Sequence, residues 1–137
     1  EENKDVEFKM QDTYLYDDFT EVRELVQMLK ADEVHRIRFM KLKSGDGELD
    51  RHTDLVDTDS GVGDGKLMRI HFPIITNDKV LFESWDLTGH KQCVNMGINE
   101  AWLLDTRKPH RAVNNGEEDR VHLVIDIVSN PKTRTLL

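Results

Sequence analysis

The sequence predicts a mainly β fold, a sandwich or barrel, with one helix near its N-terminus. Short segments of strand-like composition follow one another from about residue 35 to residue 128. Turn residues separate them, most clearly Ser44-Gly45-Asp46-Gly47 and Asn114-Asn115-Gly116. Helical spacing of apolar residues occurs in one stretch before the first of these segments. Many short strands after a single helix are typical of a sandwich or barrel.

The predicted helix runs from residue 17 or 18 to about residue 31. Acidic residues open it, and its apolar residues recur at three- and four-residue spacing, as one amphipathic helix requires. These apolar residues are Phe19, Val22, Leu25, Val26 and Leu29. The preceding residues 1–12 are charged and lack a period, which indicates a loose arm or an edge strand.

The segments after the helix are predicted strands. They cover residues 35–43, 48–56, 67–76, 80–85, 92–96, 100–105, 110–113 and 120–128. The stretch 57–66 contains three Gly and three Asp residues, which favours a mobile loop. The Asn114–Gly116 turn favours a hairpin between the last two strands. In the last strand we expect Val121, Leu123, Ile125 and Ile127 on a core face, and Arg120, His122 and Val124 on the opposite face.

Length and charge restrict the class of protein. The 137 residues suit one domain, residues 1–137, and because the chain begins with Glu1 rather than Met, we expect a trimmed N-terminus. A net charge of −8 disfavours a nucleic-acid partner. Apolar runs fall short of the about 20 residues that cross a bilayer, so we expect no membrane partner. The single Cys93 cannot form an internal disulfide, which favours the cytoplasm.

His52, Asp54 and His110 form a candidate metal site. Non-haem iron oxygenases hold their metal with two His and one carboxylate and leave the opposite face open. Because His52 and Asp54 are two residues apart in a predicted strand, their side chains share one face. A barrel can bring His110 to the same mouth. A chain of this composition contains roughly 0.7 His-x-Asp pairs by chance, so an ordinary ion pair explains the motif equally well.

Arg120 is a candidate carboxylate-binding residue. It lies ten residues after His110, across the predicted hairpin and inside the same barrel. A guanidinium pairs bidentately with a carboxylate, and a dicarboxylic keto acid that chelates the metal needs such a clamp at its far end. An ion pair with Glu117, Glu118 or Asp119 is the alternative.

Arg69 and His71 share one face of an otherwise apolar predicted strand. This pattern is found in the walls of ligand pockets and, more often, in half-exposed antiparallel strands.

Four blocks, in this order, resemble the aspartyl/asparaginyl β-hydroxylase family and together span about residues 35–128. They are Arg38–Gly45 leading to His52-Thr53-Asp54, Arg69–Asn77, Glu100–Asp105 with Pro109-His110, and Asn114–Gly116 with Asp119–Asp126. The resemblance implies a double-stranded β-helix, a cupin-like jelly roll, with one or two flanking N-terminal helices. It also implies an enzyme that depends on iron(II) and 2-oxoglutarate.

The resemblance assigns roles to individual residues. His52 and His110 match the metal-binding His positions, and Arg120 matches the Arg that binds the distal carboxylate of 2-oxoglutarate. Arg69 and His71 match a basic pair near this co-substrate. With Asp54 as a third metal ligand, the chain is similar to members that hydroxylate free amino acids.

The implied reaction is hydroxylation by dioxygen of an aliphatic carbon of an amino acid. The amino acid is free or lies within a peptide, as in Asp/Asn β-hydroxylation, and 2-oxoglutarate becomes succinate and carbon dioxide. Arg36 and Arg38 are candidates for pairing with a substrate carboxylate, although both residues facing solvent is an equal alternative. A cupin-type protein with a non-redox metal, or an isomerase, is the competing function, and a metal-free interaction module is a further one.

Overall fold

Two four-stranded antiparallel sheets form the protein in the computed structural model, which describes residues 12–54 and 67–136. The strands are β1 Val34–Leu42, β2 Gly47–His52, β3 Leu67–Ile75, β4 Val80–Trp85, β5 Lys91–Val94, β6 Trp102–Leu104, β7 His110–Asn114 and β8 Arg120–Val128. The first sheet has the order β1-β8-β3-β6 and the second sheet the order β2-β7-β4-β5. This alternation of strands between two sheets confirms the predicted jelly roll.

Within residues 12–54 and 67–136, three helices accompany the sheets: α1 Tyr14–Asp18, α2 Thr20–Met28 and α3 Pro131–Arg134. The helix predicted over residues 17–31 is α2, which is shorter than predicted because Phe19, with φ −106° and ψ 76°, leaves the helical region and separates α2 from α1. The two N-terminal helices α1 and α2 agree with the one or two that the family resemblance implies. The short α3 was not predicted, although Asn130 before Pro131 is a typical helix start. Within the described residues, no helix is long and apolar enough to cross a membrane.

The apolar core lies between α2 and the outer face of the first sheet. Its buried members are Val22, Leu29, Ile70, Leu123, Ile125 and Ile127. Each fully buried Leu or Ile side chain stabilises the fold by about 1.5–3 kcal/mol relative to exposure. The predicted core face of β8 is therefore confirmed at three of its four positions, and Val121 is only half-buried.

The predicted hairpin between the last two strands is wrong. β7 pairs with β2 and β4, whereas β8 pairs with β1 and β3, so the intervening turn passes from one sheet to the other. The Asn114 side chain accepts a hydrogen bond from Gly116 N–H at 3.0 Å and donates to Glu118 O at 2.8 Å. Asn114 thus builds the turn from its own side chain, and strand pairing across it is not required.

Candidate metal centre

The three predicted metal ligands lie together. One ligand atom from each of His52, Asp54 and His110 is within 4.8 Å of the other two. The two histidines are paired residues in the β2–β7 ladder, with ring centroids 4.3 Å apart. One strand pairing therefore brings together imidazoles that are far apart in the sequence.

Asp54 is positioned by a tertiary contact rather than by its strand. β2 ends at His52, so the prediction of a strand over residues 48–56 with both side chains on one face is wrong. The Asp54 backbone N–H donates to Thr106 O at 3.0 Å, which attaches the residue to the connection between β6 and β7. The end of that predicted strand and the predicted loop 57–66 lie outside the described residues.

Each imidazole presents an unprotonated nitrogen to the other candidate metal ligands. His52 Nδ1 lies 2.6 Å from Asp50 O, and His110 Nδ1 lies 2.8 Å from Lys108 O. A carbonyl oxygen only accepts, so each Nδ1 carries the hydrogen and each Nε2 keeps its lone pair. Burial lowers the pKa of His110, which favours the neutral form that binds metals. Two imidazole nitrogens and one carboxylate are the donor set of the iron facial triad, so these residues fit such a metal.

Arg69 connects Asp54 to a second carboxylate, Asp126, which the sequence analysis did not identify. Arg69 Nη1 donates to Asp54 Oδ2 at 2.5 Å, while its Nε and Nη2 donate to Asp126 at 2.8 and 3.1 Å. Arg38 Nη1 also donates to Asp126, at 2.9 Å. The other Asp54 oxygen, Oδ1, lies 3.4 Å from His52 Nε2 and stays directed at the ligand group.

Asp126 is fully buried, at 0% exposure, and is charged. Burial alone would raise the pKa of Asp126, but the hydrogen bonds and charges of Arg69 and Arg38 outweigh it and hold the pKa below its ordinary value. Asp126 continues the inner face of β8 beyond Val124, and that alternation could have identified it in the sequence.

These ion pairs engage two of the four arginines that were predicted to bind ligands. Arg69 and Arg38 already hold Asp126, and the binding of 2-oxoglutarate by Arg69 or of substrate by Arg38 stays a prediction. Arg36 lines a surface groove of about 200 Å³ with Tyr16 and Val34, and its role toward substrate is likewise untested.

Arg120 lies toward the opposite end of the interior from the metal group. β7 begins at His110, in the metal group, and ends at Asn114. The Asn114 amide donates to Leu42 O at 3.2 Å, and Leu42 is the partner of Arg120 in the β1–β8 ladder. The prediction that a hairpin places Arg120 beside His110 is therefore wrong, and the length of β7 separates the two residues.

The Arg120 guanidinium is buried, at 7% exposure, and lacks a counter-ion among the described residues. Its Nη2 reaches only Met40 O, at 3.4 Å, and its Nε has no hydrogen-bond partner. None of the three acidic residues before it forms an ion pair with it, and Asp119 pairs instead with Lys41 at 2.6 Å. Burial lowers the pKa of Arg120 to about 10, so the side chain remains charged at neutral pH.

A narrow cavity of about 10 Å³ borders Arg120 and receives side chains from both sheets. They are His71, Val80, Leu81, Phe82, Val94, Met96, Ala112 and His122. The Phe82 ring also stacks on the His110 ring, with centroids 5.8 Å apart. Phe82 and Val94 further line a groove of about 220 Å³ that includes Ser84, Gln92 and Lys108. A continuous set of side chains therefore connects Arg120, the metal group and this groove.

Fold and site together define a class: jelly-roll proteins with a two-His, one-carboxylate group and a buried cation inside the barrel. The sequence matches the family model for aspartyl/asparaginyl β-hydroxylases over residues 4–130, and the chain belongs to this family. The resemblance found in the sequence is thus confirmed. The family description names a hydroxylase activity, and the group of His52, Asp54 and His110 could hold a metal ion.

Two solved structures match part of this chain. The non-heme monooxygenase ThoJ, as its nickel complex, matches 71% of this chain with a TM-score of 0.55 and 14% identity. This chain spans 44% of the length of that one. A predicted oxalate decarboxylase from Thermotoga maritima matches 78% of this chain and 74% of its own, with 16% identity and a TM-score of 0.46.

Proposed function

We propose that the protein is an iron(II)- and 2-oxoglutarate-dependent dioxygenase that hydroxylates an aliphatic carbon of an amino acid. The observation that carries this proposal is Arg120, a buried cation with no counter-ion among the described residues. Burying an unpaired charge is costly, so such a group is expected where a bound anion completes it. A dicarboxylic keto acid that binds the metal at one end would place its distal carboxylate at Arg120 and so provide that anion. A non-redox cupin has no general need for this cation.

Each residue then has a defined task. His52 and His110 would hold iron through Nε2 and Asp54 through Oδ1, while Arg69 holds the second oxygen of Asp54. Bound iron would supply the reaction of dioxygen that converts 2-oxoglutarate to succinate and carbon dioxide and hydroxylates the substrate. Arg120 would orient the co-substrate by a bidentate contact with its distal carboxylate.

The co-substrate requires the interior to open. The cavity at Arg120 measures about 10 Å³, about the space of one water molecule. Phe82 and Val94 line both this cavity and the larger groove, so the carboxylate enters as these two side chains move aside.

We further propose that the substrate is a free amino acid or a similarly small polar molecule. The groove beside Phe82 measures about 220 Å³, below the about 300–1,000 Å³ of pockets for drug-sized ligands. Its polar side chains Ser84, Gln92 and Lys108 suit a small polar ligand. Arg36 and Arg38 are further candidates for its carboxylate, and the single exposed Cys93 supports a reducing compartment such as the cytoplasm.

The decisive experiment is turnover of 2-oxoglutarate to succinate by iron-loaded protein with a panel of free amino acids and short peptides. We expect one oxygen atom to be added to a free amino acid, as measured by mass spectrometry. If only a peptide is oxidised, the proposal of a small substrate is wrong, whereas the proposal that the protein is an oxygenase is still supported. Metal binding without any turnover of 2-oxoglutarate would favour the non-redox cupin instead.

Arg120→Lys tests the clamp. Lysine keeps the charge but loses the planar fork, so we expect a rise of about ten-fold or more in the apparent constant for 2-oxoglutarate, with iron affinity unchanged. Arg107→Lys, in the exposed ion pair with Asp105, is the matched control. A wild-type constant in Arg120→Lys would show that Arg120 is not the clamp.

A further inference from the structure

A second unpaired polar group borders the cavity at Arg120. His122 is two residues further along β8, on the same inner face, and is 2% exposed. Its Nε2 is buried and has no hydrogen-bond partner among the described residues. A buried ring nitrogen without a partner is destabilising, so its retention beside a cation points to a ligand that completes both groups.

The other ring nitrogen of His122 contacts a second imidazole. His122 Nδ1 and His71 Nδ1 are 3.1 Å apart and form a hydrogen bond, so one of them carries the hydrogen and the other accepts it. Two arrangements satisfy this contact. If His71 donates, His122 carries its hydrogen on Nε2 and can donate into the cavity; if His122 donates, its Nε2 is an acceptor.

The neighbouring Arg120 decides between them. Arg120 lines the same cavity, and within the described part of the chain neither its Nε–H nor His122 Nε2 has a hydrogen-bond partner, so the two are not bonded to each other. A single carboxylate completes both groups only if His122 presents Nε2–H. The arrangement in which His71 donates is therefore the one that an anionic ligand stabilises.

We infer that His122 is a second binding residue for the distal carboxylate of the dicarboxylic keto acid, and that His71 positions it by fixing its tautomer. The inference rests on the proposed use of 2-oxoglutarate. It predicts that the pocket selects 2-oxo acids with a second carboxylate through two contacts, one from Arg120 and one from His122. A monocarboxylic 2-oxo acid makes neither contact.

Two substitutions at His122 separate this role from a structural one. The amide nitrogen of Asn occupies a place similar to Nδ1 and that of Gln a place similar to Nε2, so His122→Gln keeps the donor to the ligand and His122→Asn loses it. Binding of 2-oxoglutarate and of 2-oxopentanoate to iron-loaded protein is measured by calorimetry without oxygen. We expect His122→Asn to weaken 2-oxoglutarate about ten-fold and His122→Gln to weaken it about two-fold. The affinity for 2-oxopentanoate and for iron stays unchanged, and exposed His90→Asn is the matched control.

A wild-type 2-oxoglutarate constant in His122→Asn overturns the inference and leaves the proposed function intact. Absence of saturable 2-oxoglutarate binding to the wild-type protein overturns both. Nitrogen-15 NMR of the wild-type complex gives an answer that is independent of any variant. Protonation of His122 at Nε2 and of His71 at Nδ1 is the expected result, and protonation of His122 at Nδ1 overturns the inference.

Discussion

The two faces of strand β8 in the first sheet are both buried, but their side chains are chemically opposite. On β8, the outer face presents Leu123, Ile125 and Ile127 to α2, whereas the inner face presents Arg120, His122 and Asp126 to the barrel interior. All six side chains are 7% exposed or less. The two faces therefore do not differ in burial. They differ in whether their side chains need a hydrogen-bond or ion-pair partner.

On β8, the side chains that stabilise the fold and those that could bind a ligand therefore lie on opposite faces of the strand. Apolar side chains under α2 stabilise the fold by leaving water and need only close packing. The charged and polar side chains inside are stable only when paired, as Asp126 is with Arg38 and Arg69. Among the described residues of this inner face, Arg120 Nε and His122 Nε2 are buried without a hydrogen-bond partner, and the proposed carboxylate site rests on this observation.

Among substitutions inside the barrel, removing a proposed metal ligand has the largest expected effect. His110→Ala should abolish iron binding and activity while the circular dichroism spectrum stays that of the wild type, because the ligand group loses one of its two imidazoles. His52→Ala should do the same. Exposed His90→Ala is the control, and a fully iron-loaded His110→Ala protein would contradict the assignment.

Asp126→Asn should lower the free energy of unfolding by about 3–5 kcal/mol, because it leaves the half-buried Arg38 and Arg69 without their shared, fully buried carboxylate. It should also weaken iron binding, since the released Arg69 is free to draw Asp54 away from the metal. Urea unfolding and iron titration measure the two effects. Wild-type iron affinity in the folded variant would show that Asp126 supports only the fold.

Ile125→Ala, one residue away and on the outer face, should lower the free energy of unfolding by about 2–5 kcal/mol through lost burial and a residual cavity. We expect the iron and 2-oxoglutarate affinities of the folded protein to stay at wild-type values. If Ile125→Ala and Asp126→Asn lose ligand affinity to a similar extent, the conclusion that the outer face affects stability but not ligand binding is wrong.

The smallest expected effect is a pH dependence that comes from the inner face. Burial, aided by the charge of Arg120, lowers the pKa of His122 to about 3, whereas a histidine in the unfolded chain titrates near 6.5. Between these values the unfolded state binds more protons, so the free energy of unfolding falls as the pH falls, by up to about 1.4 kcal/mol per pH unit. Burial also lowers the pKa of His71, which adds to the slope.

Urea unfolding of the metal-free protein between pH 7 and 4.5 measures this slope. His122→Gln should reduce it, because one titrating group is removed, whereas Ile125→Val on the outer face should leave it unchanged. An unaltered slope in His122→Gln would show that other groups carry the acid sensitivity.

The alternation of apolar and polar residues determined much of this protein from its sequence. It predicted β4 and β8 with the bounds observed, the core face of β8 at Leu123, Ile125 and Ile127, and the apolar side of α2. These features are local, because side-chain direction follows from spacing alone in a strand or helix. The order of four short blocks also sufficed to identify the family.

Only the tertiary structure decided which strands pair and which polar groups meet. The turn at Asn114 is compatible with a hairpin, yet the jelly roll sends β8 to the other sheet and moves Arg120 away from His110. The contact of Asp54 with Thr106 and the ion pairs of Asp126 join residues far apart in the chain. Residue spacing does not predict these contacts, since they form only after the two sheets have packed and the Asp126 carboxylate has paired with its arginines.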